Sequence, residues 1–271
     1  MKCKIYAFFL LGIVSSNLKS MDAERNAILR NQAIASIKKM HKAIDADPAL
    51  TSIATDAIGK CGLNPEEFII LKQEDGGNAD VLHNQKFITL GAFNKFEDQI
   101  RFTAYHECGH HYYNDPETNI KKRLESQSLL ALGSVASIVG SYMFGPESAL
   151  GKVAVTSSGM FLSLLGGVYY FNQTIQSQEM RADTFACEKL IKNNQIGPVL
   201  GFIIDNIEKF EKDESAATKA LPFETHPCAY ERAQNCVARL RKAGYNLNNI
   251  QGISPQMAQL VAKKVNKYFP E

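Results

Sequence analysis

The feature that most restricts how this chain can fold is a pair of apolar stretches in its middle. Residues 129–144 give sixteen apolar or small uncharged positions and residues 153–171 give nineteen, with Gly145-Pro146 and Gly151 between them. Two such stretches joined by turn residues predict a helical hairpin. A bilayer span wants about twenty residues, so the second stretch qualifies and the first is marginal. Both are rich in Gly and Ser, which suits close helix packing in lipid and equally a tight hairpin in water.

Taken whole, the composition is that of an ordinary globular chain long enough to bury a core: 271 residues, 45% hydrophobic and 21% charged. The formal charge is +2, from 30 basic and 28 acidic side chains. No basic field recommends nucleic acid as a partner. At the N-terminus, Lys2 and Lys4 precede the ten-residue apolar run Ile5 to Val14, followed by Ser15-Ser16. This is the pattern of a signal peptide over residues 1–16, leaving a domain over 22–271. Loss of Cys3 with that leader would leave five of six cysteines, which fits no closed disulfide framework.

Helical spacing predicts helices over 22–45, 50–58, 94–112, 178–192, 199–210, 229–242 and 255–268. Phe68 to Leu71 and Lys86 to Leu90 predict strands, with Asp75-Gly76-Gly77-Asn78 as a turn. Asn114-Asp115-Pro116 stops the helix over 94–112, and Lys121-Lys122-Arg123 forms a charged connector into the hairpin.

Residues 106–110 read His-Glu-Cys-Gly-His. On a helix His106 and His110 share a face, so both imidazoles can reach one metal ion, and Glu107 can approach a water on that ion as general base. Cys108 is a small buried filler here. His111 points about a hundred degrees away and reads as a surface residue or one standing behind the ligands, rather than as a ligand. A catalytic zinc wants a third protein ligand. Glu179, which opens a helical stretch, is one candidate among several acidic residues. Asp183, one turn further along, is placed to accept the outer ring N–H of a ligating His.

The succession His106-Glu107-Cys108-Gly109-His110, then Glu179-Met180-Arg181-Ala182-Asp183-Thr184-Phe185-Ala186, then Thr225-His226-Pro227 with Arg232, resembles the HtpX/Oma/CAAX-prenyl-protease-like family of zinc metallopeptidases of the gluzincin type. The resemblance implies one catalytic zinc held by His106, His110 and Glu179, with Asp183 as companion to a ligand. It also implies that His226 stabilises the oxyanion, with Arg232 in support. Cys108 departs from the family pattern, where an aliphatic residue is more usual.

The expected fold is therefore α+β: a mostly helical zincin-like core with a small N-terminal β-sheet and an apolar hairpin insertion at 129–171. The expected activity is endopeptidase cleavage of unfolded or membrane-proximal polypeptide. The alternatives are a processing peptidase with one substrate and a non-catalytic zinc-stabilised scaffold or chaperone. Topology pulls two ways. Lys121-Lys122-Arg123 and Arg181 favour a cytoplasmic base for a spanning hairpin, whereas a cleaved leader puts that base outside. The expectation is an exported, cell-envelope or periplasm-like enzyme whose hairpin touches or dips into the membrane without a two-pass span. The competing expectation is an integral protein with a cytoplasmic catalytic domain.

Overall fold

A computed structural model describes residues 23–73, 77–82, 85–91, 97–213, 227–250 and 253–270. The expected leader and His226 lie outside the described residues.

The chain begins with helix α1 (Ala23–His41), strand β1 (Ile44–Asp45) and helix α2 (Pro48–Lys60). Asp47 starts α2 by accepting the Leu50 N–H, with Pro48 preset for the first turn. Strands β2 (Phe68–Gln73), β3 (Gly77–Leu82) and β4 (Gln85–Gly91) follow. The sheet order is β1-β2-β4-β3, with β2 and β4 parallel and the other two pairs antiparallel. Strand β3 is thus an edge.

Alternation along β2 and β4 gives the sheet two apolar faces. Leu71 and Phe87 pack with Ala33 and Ile37 of α1. Phe68, Ile88 and Leu90 point the other way, into the main core. That core is built around helix α3 (Glu97–Tyr112) by α2, α6 (Ile196–Asp213), α7 (Ala229–Lys242), α8 (Pro255–Tyr268) and the C-terminal part of α5.

Helices α4 (Asp115–Phe144) and α5 (Ala149–Lys192) form the hairpin. The mostly helical α+β fold with a small N-terminal sheet agrees with the sequence expectation, but four local readings need correction. Ile44 pairs with Lys72 in the sheet and does not extend α1. Gly77 and Asn78 pair with Leu90 and Thr89 as the start of β3, so the tertiary ladder overrides their turn preference. Lys121-Lys122-Arg123 is no connector but part of α4, where Lys122 pairs with Glu125 at 3.1 Å. The second apolar stretch and the 178–192 segment are one continuous helix of 44 residues.

The hairpin is packed inside out relative to the core. Its seam is small and polar: Ser126 Oγ donates to the Gly167 carbonyl at 3.0 Å, and Thr156 Oγ1 donates to Ser141 Oγ at 2.6 Å. Between them Gly133 faces Ser163 and Gly159 faces Ser137, where a Cβ on either glycine would collide with the serine opposite. The large apolar residues, among them Leu132, Tyr142, Leu150, Phe161 and Leu162, point outward and are exposed. Both helices are long and apolar enough to cross a membrane.

Candidate active site

Helix α3 stops at Tyr112 because Asn114 turns the chain into the left-handed region at φ 55°, and Asp115-Pro116 then opens α4. The last turns of α3 carry the His-Glu-Cys-Gly-His motif into the middle of the molecule, where His106 and Glu107 are buried. Gly109 lets α5 cross close by: a Cβ there would stand 3.1 Å from the Ala182 Cα. That close crossing brings Glu179 and Asp183 of α5 beside the two histidines.

The Nε2 atoms of His106 and His110 are 3.1 Å apart. The Glu179 carboxylate faces both, with Oε2 3.5 Å from His106 Nε2 and Oε1 3.4 Å from His110 Nε2. One ligand atom from each of the three residues lies within 4.8 Å of the others. Behind this group, each imidazole turns its Nδ1 to a carboxylate. His106 Nδ1 lies 2.8 Å from Asp183 Oδ1, and His110 Nδ1 lies 2.9 Å from Asp115 Oδ2. Each aspartate is in turn held by an arginine. Arg232 donates to Asp183 from Nε at 2.7 Å and from Nη2 at 2.8 Å, and Arg181 donates to Asp115. Both Nε2 lone pairs are therefore free to face the centre.

Charge makes the case for a cation. Glu107, Glu179, Asp115 and Asp183 stand against Arg181 and Arg232, a formal surplus of two negative charges, which is the charge of one dication. Burial would depress the histidines, yet bonds to Asp183 and Glu179 push His106 up to about 10. Likewise bonds to Asp115 and Glu179 outweigh burial and push His110 up to about 9. Both rings are therefore strong bases facing a shared carboxylate, and the donor set of two imidazole nitrogens and one carboxylate fits a single zinc ion. Burial also raises the Glu107 carboxyl above its ordinary range, against the opposing charges of His106 and His110.

A cleft of 530 Å³ opens over Glu107, lined by Gly77 and Asn78 of the edge strand, Thr103 and Phe102 of α3, and Phe202 and Lys209 of α6. Beyond the histidines it continues into a 180 Å³ pocket whose wall includes Asn119 of α4 and Ile175 and Gln178 of α5. Gly77 is required here, because a Cβ would run into the Glu107 carboxylate and Thr103.

A family model for peptidase family M48 matches residues 46–240, most of the chain. This chain belongs to that family. No curated protein and no solved structure matches it. Family membership and the His106, His110 and Glu179 cluster together make it a zinc metalloendopeptidase, whose substrate class is protein or peptide.

Of the other residues singled out in the sequence, Cys108 of this M48 peptidase is wholly buried beside Cys61, with its thiol pushed well above the ordinary range by burial. His111 turns to the sheet and lies 2.8 Å from the Phe87 carbonyl. Arg232 reaches Asp183 and also lies 3.7 Å from Glu179. Asp115 and Arg181 were not legible as site residues. Asp115 reads locally as part of a helix stop, and Arg181 as a flanking charge. The only local signal was an aspartate five residues past His110, in reach of its ring.

Proposed function

We propose that this M48 peptidase cleaves unfolded or membrane-proximal polypeptide, with His106, His110 and Glu179 holding zinc and Glu107 as general base. The observation that carries this reading is the place of Glu107. Its carboxylate lies beside the metal cluster and under the open cleft, where metal binding alone needs no acid. When bound, zinc supplies Lewis acidity toward water and the scissile carbonyl. Glu107 takes the proton that water loses and returns it to the leaving amine, a role favoured by its raised pKa. Asp183 keeps His106 oriented, and Arg232 holds Asp183. His226 serves as an oxyanion donor by family resemblance, at the segment that leads through Pro227 into α7. Substrate lies along the edge strand β3 and pairs with its backbone, a mode that tolerates many sequences.

The membrane-proximal part of the reading rests on the hairpin. Four of its exposed aromatic residues fall in two groups, Tyr142 and Phe144 near the tip, Tyr169 and Tyr170 near the base, with Phe161 between them. Lys122 reaches Tyr170 at 2.7 Å, so the base group is level with residue 122, about 30 Å along α4 from Tyr142. This is the thickness of a bilayer core with an aromatic belt at each face. The tip carries Glu147 and Lys152, which a half-inserted hairpin would leave in lipid. A two-pass span therefore accounts for the pattern better than the shallow contact expected from the sequence. The basic residues at the base then favour a catalytic domain on the cytoplasmic side.

The test is Glu107→Gln. We expect it to keep one zinc per chain while cleavage of an unfolded protein falls by about 10²–10⁴-fold. Full cleavage by that variant would falsify the general-base assignment. Mapping product termini separates broad cleavage from a processing peptidase with one site. Extraction of membranes with carbonate, followed by external protease, tests the span and its orientation.

A further inference from the structure

Each histidine of the metal cluster is backed by an aspartate and an arginine, but the two chains of contacts are rooted in different parts of the molecule. Asp183, on the same end of α5 as Arg181, is fully buried and is held by Arg232 of α7, inside the main core. Asp115 is equally sheltered, at 1% exposure, but it is the first residue of α4 and its partner Arg181 stands on α5. Those two helices are the legs of the hairpin. Arg181 also sits over the Tyr113 ring, its Cζ 4.4 Å from the centroid, and this cation–π contact helps hold the guanidinium beside Asp115. Its side chain is 44% exposed, so it is a clamp at the surface.

We propose that Asp115 and Arg181 are positioning residues through which the root of the hairpin controls retention of the metal. Asp115 holds His110 by its Nδ1, and the Arg181 contact ties that carboxylate to the opposite leg. His110 keeps its ligating orientation while the legs are closed at the root. Opening the root draws Asp115 away from His110 and leaves His106, which is held from the core, in place. The hairpin would thus make zinc retention depend on how its legs are packed in their surroundings. This proposal rests on His110 being a metal ligand.

The experiment measures zinc affinity of the full-length protein in detergent micelles by competition with a chromophoric chelator. Wild type must first bind one zinc per chain; if it does not, the metal reading itself fails, and this proposal with it. With that established, Asp115→Asn is expected to weaken zinc binding about 10- to 100-fold. Arg181→Gln is expected to weaken it less, and Arg181→Lys to recover part of the loss. Should Asp115→Asn not fold, the half-exposed Arg181 carries the test alone. Wild-type affinity in Arg181→Gln would overturn the proposal while leaving the zinc site intact. The link to the hairpin is read with Gly167→Leu, a wedge against Ser126 in the seam well away from the metal. It should weaken zinc binding several-fold on its own and add nothing to Arg181→Gln. Equal loss in both backgrounds, or none in either, would overturn the coupling.

Discussion

The two ends of helix α5 obey opposite packing rules. Toward the C-terminus, Ala182, Phe185, Ala186, Cys187 and Leu190 are buried and its polar residues serve the site or face water. Toward the N-terminus, Phe161 and Leu162 are exposed, and the helix presents Gly159, Ser163 and Gly167 to its neighbour. A helix in water buries large apolar residues because that removes them from water. In lipid no such gain exists, so helices meet through small residues and short polar bonds. One uninterrupted helix thus carries two packing patterns, and the metal cluster sits on the core side of the change.

The largest effect should come from breaking that division of labour. Glu179→Ala should remove stoichiometric zinc and detectable cleavage, whereas Phe161→Ala on the same helix should leave metal content by elemental analysis and peptidase rate unaltered. Loss of zinc in the Phe161 variant would mean that the two ends are not separate.

Next in size is the same substitution made at each end. Phe185 packs against Tyr112 and Tyr113 and is 6% exposed, so Phe185→Ala should cost about 3–5 kcal/mol. Phe161→Ala, at a side chain 59% exposed, should shift the melting profile in micelles hardly at all. Comparable costs would show that both ends are packed alike.

The core side also carries an acid sensitivity, at His111. Burial pushes His111 down to about 4, although its bond to the Phe87 carbonyl pulls the other way. The unfolded chain takes up this proton near pH 6.5, while the folded protein resists until about pH 4. The stability is therefore complete above pH 6.5 and is lost as pH falls toward 4, to a limit of about 3 kcal/mol. In denaturation curves at pH 7 and pH 4.5, His111→Gln should show a smaller loss on acidification than wild type. An unchanged difference would show that His111 is not the sensing group.

The smallest effect belongs to the seam. Ser141→Ala removes the acceptor for Thr156 and should cost about 0.6 kcal/mol, the usual worth of one polar bond between helices in lipid. A cost of several kcal/mol would mark the seam as a water-type core and weaken the case for a span.

Much of this division can be read in the chain itself. His106, Glu107 and His110 fall on one face of α3 through the period of the helix, a local property. The apolar stretches at 129–144 and 153–171 stand out for the same reason, as do the bounds of α7 and α8. Glu179 and Asp183 could be singled out only by resemblance, since their partners are 69 to 77 residues away and no local period links them. The edge strand β3 was hidden because Gly77 and Asn78 favour turns, and only pairing with β4 and the nearness of Glu107 make that backbone useful. Asp115 and Arg181 were hidden more deeply: each has an adequate local reason to exist, as part of a helix stop and as a flanking charge. Sequence determined which residues can bind a metal and which can face lipid, because those are properties of side chains and short periods. Tertiary structure decided which carboxylate stands behind which histidine and where α5 changes from one packing pattern to the other, because both depend on how α5 meets its neighbours, α3 at Gly109 and Ala182 and α4 along the seam.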